Sequence, residues 1–266
     1  MEQKYYDSQN AVEVAAGVFH LGVEDKNNSF ANIPYLVVDN DEAALIDPGS
    51  ARPEFFSVVL RKVHQVVDPR KIKHMIVQHQ DPDLCAALPF FEKIVSPDVK
   101  IWAPLEAQVL VQHYGCLRRI LPVDDGDTIV FGKNRTLVFA AIPYCHFIGT
   151  VVTYDVKTKT IFSSDAFGGF TGKNNLFADD DYPVQLTTFL GQYLSSKKAL
   201  VYALKRLEAL AKSHGIDTIC PQHGCVIPKE KIPLYIQAAY NLHVGGEVDS
   251  LATKHKIDLS EFTENR

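Results

Sequence analysis

The stretch that decides the fold is HQDPDLCAALPFFEKI, residues 79–94. It follows KHMIVQ (73–78), a short apolar run that reads as a buried strand. Directly after that strand come a histidine and two aspartates at alternate positions, His79, Asp81 and Asp83, with Pro82 between the acids. Buried aspartate is rare unless it is paired or bound to a metal. Side chains on loops at strand ends, held by a rigid sheet, are how α/β proteins build sites. One histidine in such a place is more often structural, so the weight falls on what the rest of the chain adds.

Three further strand-like segments end in the same way. RTLVFAAIP (135–143) leads to His146, TIFSSD (160–165) ends on Asp165, and DTICP (217–221) delivers His223. A loop signal accompanies each group: Pro82, Gly149, Gly168 and Gly224. Three acids and three histidines at matching positions are hard to explain as core packing. They predict a metal centre with oxygen and nitrogen ligands.

The intervening pattern frames these segments. Strands are expected at 17–23, 35–39 and 42–49, the last two joined by the turn Asn40-Asp41. More are expected at 99–104, 128–132 and 150–155. Helical spacing runs over 53–66, with Pro53 suited to a first turn, around 105–114, over 195–215 and over 228–243. The 195–215 helix opens on serine and closes on Gly215, as caps should. Strands and helices alternate in two halves, which predicts an α/β protein with two sheets face to face and helices outside. The polar end of the chain, 251–266, reads as a tail, a loose helix or a disordered end.

Composition narrows the partners. The chain has 266 residues, 46% hydrophobic and 22% charged, with a formal net charge of −5. No basic stretch offers itself to nucleic acid. No apolar run approaches the ~20 residues that span a bilayer, and the N-terminal MEQKYYDSQNAVEVAAG lacks the apolar region of a signal peptide. A cytoplasmic protein is expected, with no membrane partner. Its five cysteines, Cys85, Cys116, Cys145, Cys220 and Cys225, include no CxxC pair and read as reduced thiols.

The segments IDPG (46–49), HQDPD (79–83), His146, SSDAFG (163–168) and PQHG (221–224) resemble the metallo-β-lactamase superfamily. Within it they resemble the diiron domain of flavodiiron proteins. SSDAFG reads like that family's bridging-aspartate segment, and Asp81 stands where hydrolases of the superfamily have histidine. The resemblance implies an αββα sandwich over 1–250 and two iron ions per chain. Metal 1 would take His79, Asp81 and His146, metal 2 Asp83 and His223, and Asp165 would bridge them. Three carboxylates leave a site charge of about +1 on two ferrous ions and about +3 on two ferric ions, so the third carboxylate favours oxidation. Carboxylate and imidazole without thiolate also suit iron.

The sequence departs from the flavodiiron pattern in three places. Asp81 is one methylene shorter than the family's glutamate. Leu84 stands where the family has a histidine, which would leave metal 2 open to water or O2. The 43 residues after His223 leave no room for a flavodoxin-type FMN domain. Reducing O2 to water takes four electrons and a diferrous pair supplies two. The resemblance therefore implies an O2-binding diiron protein, of the flavodoxin-free type linked to oxygen sensing and chemotaxis signalling, with O2 as ligand, no FMN and a signalling partner. A homodimer is implied by the pairing of flavodiiron domains. The competing readings are an O2 or NO reductase fed by an external electron-donor protein, a dizinc hydrolase, and a docking module without chemistry.

The remaining candidates read as supporting residues. Asp47 is expected to hydrogen-bond near the site or simply to shape its turn, and Tyr144 to pack in the core or else to project towards the pocket. His20, His64, His74, His113, His214, His243 and His255 read as structural or surface residues. The acidic run ADDD at 178–181 reads as a solvated loop, with a docking patch as the alternative.

Overall fold

A computed structural model describes residues 7–25, 30–170 and 175–260 of the chain. The strands are β1 (Val12–Ala15), β2 (Val18–His20), β3 (Val23–Asp25), β4 (Phe30–Asn32), β5 (Tyr35–Asp39), β6 (Glu42–Ile46), β7 (Ile72–Ile76), β8 (Lys100–Pro104) and β9 (Ile120–Val123). They continue with β10 (Thr128–Phe131), β11 (Arg135–Ala141), β12 (Val151–Asp155), β13 (Thr160–Phe162), β14 (Thr218–Cys220) and β15 (Ile227–Pro228). The helices are α1 (Pro53–Val66), α2 (Pro82–Cys85), α3 (Leu88–Phe91), α4 (Leu105–Val111), α5 (Tyr182–Tyr193), α6 (Lys197–His214), α7 (Ile232–Asn241) and α8 (Gly246–His255).

Two sheets carry the molecule. One runs in the order β1-β2-β5-β6-β7-β8-β9, the other β10-β11-β12-β13-β14-β15, and β3 and β4 form a separate hairpin. Three clusters of buried apolar side chains fill the spaces between layers. Val37, Ala44, Ile46 and Ile76 of the first sheet meet Ile129, Phe131, Leu137, Phe139 and Phe162 of the second in the central one. The outer face of the first sheet packs on α1 to α4 through Val59, Val63, Leu88, Phe91 and Ala107. The outer face of the second packs on α5 to α7 through Leu186, Phe189, Leu200, Leu204 and Tyr235. This is the expected αββα order of layers, each amphipathic element burying one face.

Strand direction then decides where loops emerge. β6, β7, β8 and β9 are mutually parallel. In the second sheet β13 and β14 are parallel, with Phe162 beside Cys220. His79, Asp165 and His223 each lie three residues beyond the last strand residue, Ile76, Phe162 and Cys220. Asp165 and His223 therefore leave one sheet side by side, and His79 leaves the facing sheet. Backbone bonds tie the layers at this rim: Val151 N donates to Gln78 O at 3.0 Å, and Ile33 N, just beyond β4, to Gln222 O at 3.0 Å.

Helix α1 spans the residues expected, and α6 has Ser196 as N-cap, its side chain accepting from Ala199 N, and Gly215 as C-cap. The Asn40-Asp41 turn joins β5 to β6, with Asn40 at φ 54°. The 105–114 helix is α4 followed by one 3-10 turn, and α8 crosses residue 250. Several strands are shorter than the apolar runs suggested, because the run continues into the loop that carries a site residue. Helix α5 and the β3–β4 hairpin were not expected from the sequence.

Candidate metal centre

The six expected ligands converge at one edge of the sandwich. His79, Asp81, His146 and Asp165 each offer a ligand atom, and these atoms lie within 4.8 Å of one another. His146 Nε2 is 2.8 Å from Asp165 Oδ2 and 3.4 Å from Asp81 Oδ2. His79 Nε2 is 3.4 Å from Asp81 Oδ2 and 3.7 Å from Asp165 Oδ2. On the other side, His223 Nε2 is 3.3 Å from Asp83 Oδ2 and 3.3 Å from Asp165 Oδ1. The two oxygens of Asp165 thus face two different groups of side chains.

The loops that hold these groups are built for it. Asp81 is the N-cap of α2 and Asp83 lies in its first turn, so one short helix separates the two carboxylates onto the two sides. The 142–150 loop is tied by Ile142 N to Thr150 O, Tyr144 N to Phe147 O, and the Thr150 hydroxyl to Phe147 O at 2.8 Å. Gly224 takes a left-handed φ of 89°, and a Cβ there would collide with the Tyr182 hydroxyl. Asp47, Tyr144, Ser164 and Phe167 also hold positive φ. Such backbone costs about 1–3 kcal/mol per residue and gathers at functional sites.

Hydrogen bonds orient the histidines from behind. His79 Nδ1 pairs with Ser164 Oγ at 2.6 Å, and His223 Nδ1 donates to Ala31 O at 2.6 Å. Each Nε2 lone pair is thereby aimed into the site, the arrangement that fixes metal-binding imidazoles. The Asp47 carboxylate accepts from Gln78 N at 2.9 Å and from Gln78 Nε2 at 2.8 Å. It fixes the exit of β7 one residue before His79, which settles its role in favour of support. Asn32 Nδ2 donates to Asp83 O. Ser164, Ala31 and Asn32 were missed by sequence reading. Only the SSD triplet of 163–165 carried a signal for one of them.

The electrostatics call for positive charge. Burial disfavours protonated His146 and His223, but Asp165, Asp81 and Asp83 more than reverse this and lift both to about 9. Burial alone would raise Asp165, yet the three imidazoles hold it well below the usual carboxylate range. Protons here stand where a cation's charge would. Two buried atoms, His79 Nε2 and Asp165 Oδ1, have no hydrogen-bond partner. An unpaired buried polar atom costs about 1–3 kcal/mol, and a metal ion would satisfy both. The donor set and these orphaned atoms fit an oxygen- and nitrogen-ligated cation pair.

Aromatic rings wall the site. Phe30 lies 4.0 Å from the His223 ring, Phe147 4.3 Å from His146, and Phe189 5.4 Å from His223 (centroid distances). Tyr144 is 57% exposed, so the expectation of core packing fails; the positive φ of its loop turns the ring outward. Leu84 is fully buried in the cluster under the first sheet, beside Cys85 and Leu88. Cys85 and Cys145 are buried next to the site, the Cys85 thiol donating to Asp81 O at 3.2 Å. Of the other histidines, His74 accepts from Trp102 Nε1 at 3.0 Å and His243 pairs with exposed Asp249.

Fold and site together define a metallo-β-lactamase-fold protein of flavodiiron type. Residues 30–224 match the family described as ODP family beta lactamase, and the chain belongs to that family. It is 27% identical over 233 residues to the anaerobic nitric oxide reductase flavorubredoxin of Aliivibrio salmonicida, covering 84% of this chain and 46% of that one. It is 26% identical over 197 residues to the rubredoxin-oxygen oxidoreductase of Megalodesulfovibrio gigas, covering 72% and 48%. The chain thus spans about half the length of these relatives. Among solved structures, the rubredoxin oxygen:oxidoreductase of Desulfovibrio gigas superposes with a TM-score of 0.76 at 22% identity, over 86% of this chain and 60% of that one. The chemotaxis sensor ODP, solved as a peroxy diiron species, superposes with a TM-score of 0.74 at 20% identity, over 91% and 99%. Among the described residues no helix is long and apolar enough to cross a membrane.

Proposed function

We propose that this protein holds two iron ions and binds O2 at them as an oxygen sensor for a signalling partner. His79, Asp81 and His146 would hold one ion and Asp83 and His223 the other, with Asp165 shared between them. The observation that carries this reading is the division of Asp165, Oδ2 toward His146 and His79 and Oδ1 toward His223. Membership of the ODP family, together with the likeness to the chemotaxis sensor ODP, supports the sensory reading.

Iron bound here would supply the redox capacity and the open position that O2 requires. The chain's own side chains do the rest. Ser164 and the Ala31 carbonyl hold His79 and His223 in one tautomer. Phe30, Phe147 and Phe189 keep water from the imidazole faces. Asp81 and Asp83 keep side-chain exposures of 25% and 31% and form the open face. The Asp83 side has two side chains of its own against three on the other, so an added ligand belongs there. A change of charge at the site reaches β4 directly, because Ala31 bonds His223 and Asn32 bonds the Asp83 carbonyl. That is a local electrostatic event passed to a neighbouring strand.

The test is elemental analysis and an optical spectrum of protein purified anaerobically from iron-supplemented cells. About two irons per chain and a single spectral change on adding O2 are expected. Zinc alone under those conditions refutes the redox reading in favour of a hydrolase. Sustained consumption of O2 or NO with a chemical reductant refutes the sensor in favour of a reductase.

A further inference from the structure

We propose that a crevice between the 163–167 loop and α5 is the route by which O2, an apolar diatomic molecule, reaches the metal face. It rests on the function proposed above. The crevice begins at His146 and Asp165 and is otherwise lined by Cys145, Ala166, Phe189, Leu190, Tyr193 and Leu194. The helical members fall at i, i+1, i+4 and i+5, one face of α5 and its end. Cys145, Ala166, Phe189, Leu190 and Leu194 are buried, while Tyr193, its ring centroid 4.7 Å from that of Phe189, is 43% exposed and closes the outer end.

The lining selects by chemistry. The crevice is too narrow at rest for a water-sized sphere. A water needs two to four polar partners to be held in such a place. Here the polar groups are His146 and Asp165, already bonded to each other at 2.8 Å. O2 has no hydrogen bonds to lose, and rotamer flips of the part-exposed Tyr193, on a ps–ns timescale, open the outer end. Anions and water have a different entrance, the exposed face of Asp81 and Asp83. The site thus has two doors, a wet one for charged ligands and a dry one for gas.

Leu190 lines the dry route and touches no ligand-bearing loop by hydrogen bond, so its size can be varied. Leu190→Ala is expected to raise the O2 association rate of the reduced protein severalfold and Leu190→Phe to lower it severalfold. Azide affinity of the oxidised protein is expected to stay the same in both. In crystals of metal-free Leu190→Ala under pressurised xenon, an atom of xenon is expected between Cys145 and Phe189. Should Leu190→Ala fail to fold, Leu194→Ala opens the same crevice and takes its place in both measurements. O2 rates unchanged in iron-loaded variants, or azide shifting in parallel with O2, overturn the proposal. If the protein holds no iron the functional reading fails by itself, and the xenon experiment still decides: an empty crevice in both opened variants overturns the route.

Discussion

Ser164→Ala tests whether the site is organised from behind. His79 is fully buried, and its Nδ1 has Ser164 Oγ at 2.6 Å as partner while its Nε2 faces the carboxylates. For Nε2 to offer a lone pair to a metal, Nδ1 must carry the proton and donate it to Ser164. Alanine leaves that buried N–H unpaired, a penalty of about 1–3 kcal/mol. Loss of such a supporting partner typically lowers metal affinity about 10–100-fold, or about 1.4–2.8 kcal/mol at 1.4 kcal/mol per decade. The two figures agree, as they should if the bond matters mainly when Nε2 is engaged.

Ser164 also sits at φ 54°. Ser164→Gly removes the same hydroxyl but relaxes the backbone, where a left-handed residue with a Cβ costs about 1–2 kcal/mol. Both variants are expected to lose metal affinity alike, while the metal-free glycine variant is more stable than the alanine one by about 1 kcal/mol. Metal-competition titration measures the first quantity and denaturant unfolding the second. Nitrogen NMR of the His79 ring reports its tautomer. Wild-type affinity with an unchanged tautomer in Ser164→Ala would refute the reasoning.

Three other outcomes follow from the same geometry. Asp165→Asn removes the charge that faces both groups, and metal analysis is expected to show both ions lost together; loss of one alone would contradict bridging. Leu84→His places an imidazole in the cluster under the first sheet, costing about 1–3 kcal/mol of metal-free stability; an undiminished unfolding midpoint would mean that the side chain has swung out to the site. Lys62 is buried with its ammonium donating to Asp7 O and Gly22 O, and burial lowers it from 10.5 to about 8. Between those values the unfolded chain binds the extra proton, so this group's contribution to stability rises with pH from 8 to 10.5, by roughly 3 kcal/mol. Comparing wild type with Lys62→Met over that window isolates the effect, and parallel stability curves would refute it.

The fold was legible wherever pattern and chemistry agreed locally. The apolar period of 53–66 and 197–214 and the caps Ser196 and Gly215 mark α1 and α6 without tertiary information. Helix α5 escaped because YPVQLTTFLGQY carries Thr187, Thr188 and Gly191, which are poor helix formers, and because its apolar residues are spread round the helix. Packing on the second sheet through Leu186, Phe189 and Leu190 overrides that weak propensity. The β3–β4 hairpin is three residues a side and has no period to read; what fixes it is a long-range bond, Ala31 O to His223. Short paired segments of this kind depend on partners far along the chain.

The six candidate ligands were legible for a different reason. A carboxylate or imidazole at the end of an apolar strand contradicts its surroundings, and the contradiction is visible in one dimension. The residues that aim those ligands contradict nothing. Ser164 is a serine in a loop, Asn32 an asparagine at the end of a short strand, and Ala31 contributes only its carbonyl. Their roles exist because parallel β13 and β14 bring 163–165 and 221–223 together, while Ile33 N bonds Gln222 O and draws β4 beneath them. A sequence thus announces the atoms that bind a metal, since these are costly to bury unpaired. The atoms that set their direction cost nothing to hide, and only the folded arrangement reveals them. For this site, direction separates a loose acidic patch of six candidate ligands from two groups that face the two oxygens of Asp165.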